Sequence, residues 1–111
     1  MTLKAFECID PGGTYHATFV VQPNRVALWT AAFDVESLEG LFDMTPAADA
    51  IPVIDAAVGR FNSDPEAMRH LITDDPLGLF GNRQALLKIR NWLAQNDGSI
   101  TGVVDDEVLA T

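Results

Sequence analysis

The fold turns on residues 15–33, YHATFVVQPNRVALWTAAF. Tyr15, Ala17, Phe19 and Val21 alternate with His16, Thr18, Val20 and Gln22, a period of two that predicts a strand with one apolar and one mixed face. Gln22-Pro23-Asn24-Arg25 is a turn signal, after which Ala27, Trp29, Ala31 and Phe33 resume the alternation. Working outward, Asp10-Pro11-Gly12-Gly13 separates this pair from an apolar segment at the start of the chain. The expectation is a three-stranded antiparallel meander over about residues 3–9, 14–22 and 26–33.

At Asp34 the period changes to that of helices. Asp34 stands as an N-cap before Val35, Leu38 and Phe42, with Glu36, Glu39 and Asp43 on another side. Thr45-Pro46 looks like a cap with a first-turn proline, but Pro52 would interrupt a continuous helix, which places the next helix at about 52–61 with Ile54, Val58 and Phe61 inward. Ser63-Asp64-Pro65-Glu66 is a capping box that opens a helix with Met68, Leu71 and Ile72 on its apolar side, and Asp74-Asp75-Pro76 closes it. Residues 77–81 read as an apolar loop. Asn82 then caps a helix over 83–95 whose stripe is Ala85, Leu86, Ile89, Trp92 and Leu93, ended by Asn96-Asp97-Gly98. Ile100 to Val104 favours an extended segment, and Asp105-Asp106-Glu107 suits one helical turn. Strands first and helices after predict an α+β fold, an N-terminal three-stranded antiparallel meander followed by about four helices packed on one face.

With 111 residues, 48% of them hydrophobic, the chain is expected to be a single domain, 1–111. No apolar run reaches membrane-spanning length, and Lys4 and Glu7 interrupt any signal-peptide core, so a soluble cytoplasmic protein is expected. Charge is segregated. Residues 34–75 hold ten of the sixteen acids against Arg60 and Arg69, which is −8 of the net −9. Such a field disfavours direct nucleic-acid binding and steers basic partners, although solubility alone accounts for the same acids.

Chemistry is sparsely signalled. Cys8 is alone and reads as a small buried apolar residue; a Cys8–His16 pair across the first hairpin has no third group to orient it. His70 beside Arg69 reads as a surface histidine. Asp74-Asp75 and Asp105-Asp106-Glu107 are adjacent rather than convergent and lack the spacing of a calcium loop, and neither glycine pair has a phosphate-binding pattern. No catalytic residue, metal or cofactor is therefore assigned.

One stretch resembles a known family. Leu79-Phe80-Gly81, an amphipathic helix through Trp92, and Thr101-Gly102-Val103-Val104-Asp105 resemble the second half of a small helical peptidoglycan-binding repeat, with its Asp-Gly-x-Phe-Gly turn and closing Thr-Gly-Val-Val-Asp. The resemblance covers about a third of the chain. Leu77-Gly78 stands where the turn's aspartate and glycine belong, the family's Phe-Gln pair is missing, and the spacing runs one residue long.

Two functional classes follow. The first is a non-enzymatic acidic protein that binds another protein with a basic surface, as inhibitors, immunity proteins and phage counter-defence proteins do, for instance by masking a nucleic-acid-binding face. Glu36, Glu39, Asp43, Asp49 and Asp55 would steer it, and Leu77, Leu79 and Phe80 would be buried on contact. The second is a small ligand-binding or catalytic domain with a pocket between sheet and helices, lined by Tyr15, Phe19, Trp29, Trp92 and His16. Free strand edges at 3–9 or 26–33 also permit self-association.

Overall fold

The structure is a computed structural model and describes residues 2–13, 16–72 and 74–105. It is α+β. Strands β1 (Thr2–Ile9) and β2 (His16–Val20) form the expected hairpin, with Phe6 opposite Phe19 and Cys8 opposite Ala17. The third predicted strand is instead helix α1 (Val26–Phe33), entered through a 3-10 turn at Pro23–Arg25. Seven of the eight residues in α1 are apolar, so a period of two is present but does not discriminate. The side chains that bury are Leu28, Trp29, Ala32 and Phe33, the i, i+1, i+4, i+5 face of a helix. Its last turn is closed by Asp34, a left-handed C-cap (φ 56°), and by Arg60, which donates to the Ala32 carbonyl at 2.6 Å.

Residues 35–44 form a loop, not the predicted helix. Val35, Leu38 and Phe42 still pack against the core, but Gly40 turns the chain at φ 77°, outside the range a helix allows. The short strand β3 (Thr45–Pro46) leads into α2 (Ala47–Ser63), which runs through Pro52. That proline is exposed, so the carbonyl one turn back, which loses its partner, faces the solvent side. A helix α3 (Pro65–Arg69) does open after the Ser63-Asp64-Pro65-Glu66 signal, but Asp64 and not Ser63 caps it, its carboxylate accepting from the Ala67 amide, and it ends before Leu71 and Ile72.

The apolar stretch 77–81 is also more regular than expected. Helix α4 (Gly78–Asn96) starts there rather than at Asn82. After a left-handed Asp97 the tail becomes β4 (Ser99–Asp105), which inserts between β1 and β3 and gives the antiparallel order β2-β1-β4-β3. The sheet thus has four strands, and its third in space is the last in sequence. Tyr15, Asp106 and Glu107 lie outside the described residues.

A register shift between Leu3 and Ala5 of β1 leaves Lys4 as an extra residue. This bulge is what puts Leu3 on the same face as Phe6 and Cys8, toward the helices, while Lys4 stays exposed. Phe6 stacks on Trp29 at 6.2 Å and meets Phe42 edge-on at 5.5 Å; Phe42 in turn meets Phe33 edge-on. Ile54, Leu86, Ile89, Leu93 and Ile100 complete the fully buried core. Among the described residues no helix is long and apolar enough to cross a membrane.

Candidate functional site: a groove beside the edge strand

Among the described residues β2 pairs only with β1, so its other edge is unpaired. Between that edge and the start of α4 runs an open groove of about 610 Å³. Phe19, Val20 and Trp29 form one side, Leu77, Phe80 and Ala85 the other, and Arg25, Gln84 and Lys88 lie along its rim. Phe80 is 69% exposed, Val20 52% and Leu77 42%. Val20 on β2, Phe80 in the first turn of α4 and Leu77 at the N-cap of that helix together form an exposed apolar contact surface.

The groove wall is fixed by a buried polar network under it. Asn82 is fully buried in register with Leu86, Ile89 and Leu93, where the stripe of α4 calls for an apolar residue. Its carbonyl accepts from the Trp29 indole N–H at 2.9 Å, and its amide donates to Asp75 at 3.0 Å and to the Gly78 carbonyl at 2.7 Å. Asp75 in turn takes the Arg25 guanidinium at 2.9 Å and the Leu77 amide at 3.0 Å, with its side chain only 1% exposed. One carboxylate therefore ties the 3-10 turn, α1 and the first turn of α4 together. The network positions the groove, whose lining includes its members Arg25, Trp29 and Leu77.

Burial acts to raise the Asp75 pKa, but hydrogen bonds from Arg25, Asn82 and Leu77, with the Arg25 charge, outweigh it and hold the carboxyl below its usual 3.8. A depressed carboxyl stabilises the fold above its unfolded pKa, and that contribution is lost as pH falls through the folded value. Acid unfolding below about pH 4 should accordingly flatten in Asp75→Asn, which is less stable at neutral pH and gains relative to wild type as acid is added; parallel curves for the two proteins in denaturant titrations at stepped pH would contradict it.

The other predicted residues are placed as follows. Glu36, Glu39 and Asp43 are exposed on the loop after α1, Asp49 in the first turn of α2, and Asp55 farther along it. None of the five lines the groove. Glu36 and Glu39 border a small cleft of about 110 Å³ with Leu3 and Leu38, where Glu39 accepts from the Leu3 amide at 3.2 Å. Asp55 is engaged by Arg90 at 3.0 Å. Of the apolar candidates, Leu77 and Phe80 meet in the groove, while Leu79 lines a second cavity with Phe80. Nothing in the sequence marks Val20 as a contact residue, whereas a polar Asn82 in register with Leu86, Ile89 and Leu93 is a signal of the network that its reading as an N-cap hides.

Of the residues expected to line a pocket between sheet and helices, Phe19 and Trp29 line the β2–α4 groove, while Tyr15 and the His16 side chain lie outside what is described. Trp29 is 1% exposed core, and Trp92 packs against the core beside Gly98. Cys8 is fully buried opposite Ala17, and burial pushes its thiol up to about 12, so it is no nucleophile at neutral pH. Among the described residues no three His, Cys, Asp or Glu side chains converge on a metal-sized site. The closing Thr101–Asp105 of the peptidoglycan-binding resemblance is strand β4, inside a sheet that the helical repeat lacks. Compared with protein-family models, curated proteins and solved structures, the chain matches none.

Proposed function

We propose that the protein acts without catalysis, by binding another protein that carries a basic surface, in the manner of an inhibitor, immunity or counter-defence protein. The observation that supports this most is the exposed Phe80 on α4, with Leu77 at that helix's N-cap and Val20 on β2, beside an edge of β2 that is unpaired among the described residues. An extended segment of the partner pairs with β2 and buries its alternate side chains against Phe80 and Leu77. Charge supplies the steering. Asp34, Asp55, Glu66 and Asp75 are matched by Arg60, Arg90, Arg69 and Arg25, which leaves Glu36, Glu39, Asp43, Asp49, Asp64 and Asp74 of the acidic segment with no cation among the described residues. A field of that kind raises association rate and fixes approach, while the apolar contact sets the lifetime of the complex.

The test is a tagged pull-down from native lysate with salt elution, followed by binding kinetics on the captured protein. Phe80→Ser with Leu77→Ser should shorten the complex lifetime by about 30-fold or more, the effect of losing a contact hot spot. Glu36→Lys, Asp43→Lys and Asp49→Lys together should slow association by about tenfold at low salt with dissociation nearly unchanged. Glu39 is left intact because it also anchors β1. A captured protein indifferent to both sets of changes, or none captured at low salt, overturns the proposal.

A further inference from the structure

Two cations on α4, Arg83 and Lys88, pair with no acid among the described residues, and their settings differ. Lys88 is exposed at the rim of the groove. Arg83 lines a second cavity of about 620 Å³, whose polar wall is Asn62, Arg69 and Arg83 and whose apolar wall is Phe61, Leu79 and Phe80. The Arg83 Nε is buried and meets no acceptor. Buried donors are rarely left so in native proteins, and a guanidinium offers its donors as a planar fork shaped for a carboxylate. Arg69, its neighbour in the wall, is already held by Glu66. In a chain of net charge −9, this cavity is lined by two cations and no acid.

We propose that the cavity binds a small organic carboxylate with an apolar body. The carboxylate forks onto Arg83, the Asn62 amide adds a donor, and the apolar body lies against Leu79 and Phe80. One uncommitted guanidinium matches one negative charge, and a half-apolar wall favours an organic anion over inorganic phosphate. The site shares Phe80 with the β2–α4 groove but uses neither Leu77 nor β2, so it stands or fails apart from the partner proposal.

The test is titration with benzoate, read by calorimetry and by the Arg83 Nε–H resonance. Saturable binding in about the millimolar range or tighter is expected, with inorganic phosphate weaker. Arg83→Met should weaken binding by about tenfold or more, and Arg83→Lys, which keeps the charge and loses the fork, by several-fold. Should Arg83→Met fail to fold, Arg69→Gln on an exposed side chain carries the same test with a smaller loss. Leu77→Ser should leave benzoate binding unchanged. Absence of saturation, affinity unaltered in the Arg83 and Arg69 variants, or phosphate binding as tightly as benzoate overturns the assignment.

Discussion

Asn82→Ala should destabilise the protein by about 3–5 kcal/mol, lowering its melting temperature by about 12–25 °C. The side chain is fully buried and holds three partners at once. Removing it strips the acceptor from the Trp29 indole N–H, a loss of about 1–3 kcal/mol for a buried donor, and a donor from the Asp75 carboxylate, about 1.5–3 kcal/mol for a charged acceptor. Typical domain stability is only about 5–15 kcal/mol, so the variant should sit near the edge of folding. Asn82→Leu separates two explanations. Leucine suits the stripe formed by Leu86, Ile89 and Leu93 and restores apolar bulk, yet it leaves Trp29 and Asp75 without their partner. If the network is what holds α1 to α4, the leucine variant should melt no higher than the alanine one; a stable Asn82→Leu would mean that packing alone suffices. Since Leu77 and Phe80 flank this network, either variant should also loosen the groove.

What was legible in the sequence follows from where local pattern and tertiary contact agree. The β1–β2 hairpin was readable because its alternation is broken by turn residues on both sides, and the start of α3 because Ser63-Asp64-Pro65-Glu66 is a local device, although Asp64 rather than Ser63 is its cap. Residues 26–33 misled because Ala31 and Ala32 fill both periods, so only packing on Phe6 and the Arg25–Asp75 anchor decide for a helix. The loop 35–44 misled for the converse reason. Its apolar residues fall at helical spacing and do bury, but Gly40 and the backbone pairing of Phe42 with Gly102 commit it to an irregular path. The place of β4 between β1 and β3 depends on pairings such as Ile9 with Ser99 and Thr45 with Ile100, far apart in the chain, which no window of sequence reports. The functional candidates divide the same way: the apolar residues at 77–81 were visible as a run, but that they meet an unpaired strand edge, and that the acids lie elsewhere, is a matter of topology.

The second large effect lies at the turn that sends the chain into β4. Gly98→Ala should cost at least about 3 kcal/mol, at the upper end for an overpacked site. An added methyl at Gly98 would lie 2.4 Å from the Ile9 carbonyl oxygen and 2.7 Å from the Trp92 ring. A flexible side-chain tip can yield to such a clash, but a backbone oxygen of the neighbouring strand and a packed indole cannot do so without moving the sheet or α4. The Gly98 carbonyl also accepts from the Ala47 amide at 2.8 Å, so displacing the turn disturbs the start of α2 as well. Gly59 supplies the contrast within one molecule. It lies in α2 with nothing within 4 Å of where a Cβ would stand, and Gly59→Ala should raise stability by about 0.4–1 kcal/mol through a less disordered unfolded chain. Opposite signs for these two identical substitutions, measured in denaturant melts, would establish that the α4–β4 turn presses directly on β1. A Gly98→Ala variant of wild-type stability would show instead that β4 is not held against β1 at this corner, and with it the four-strand order that leaves β2 as the open edge would have to be redrawn.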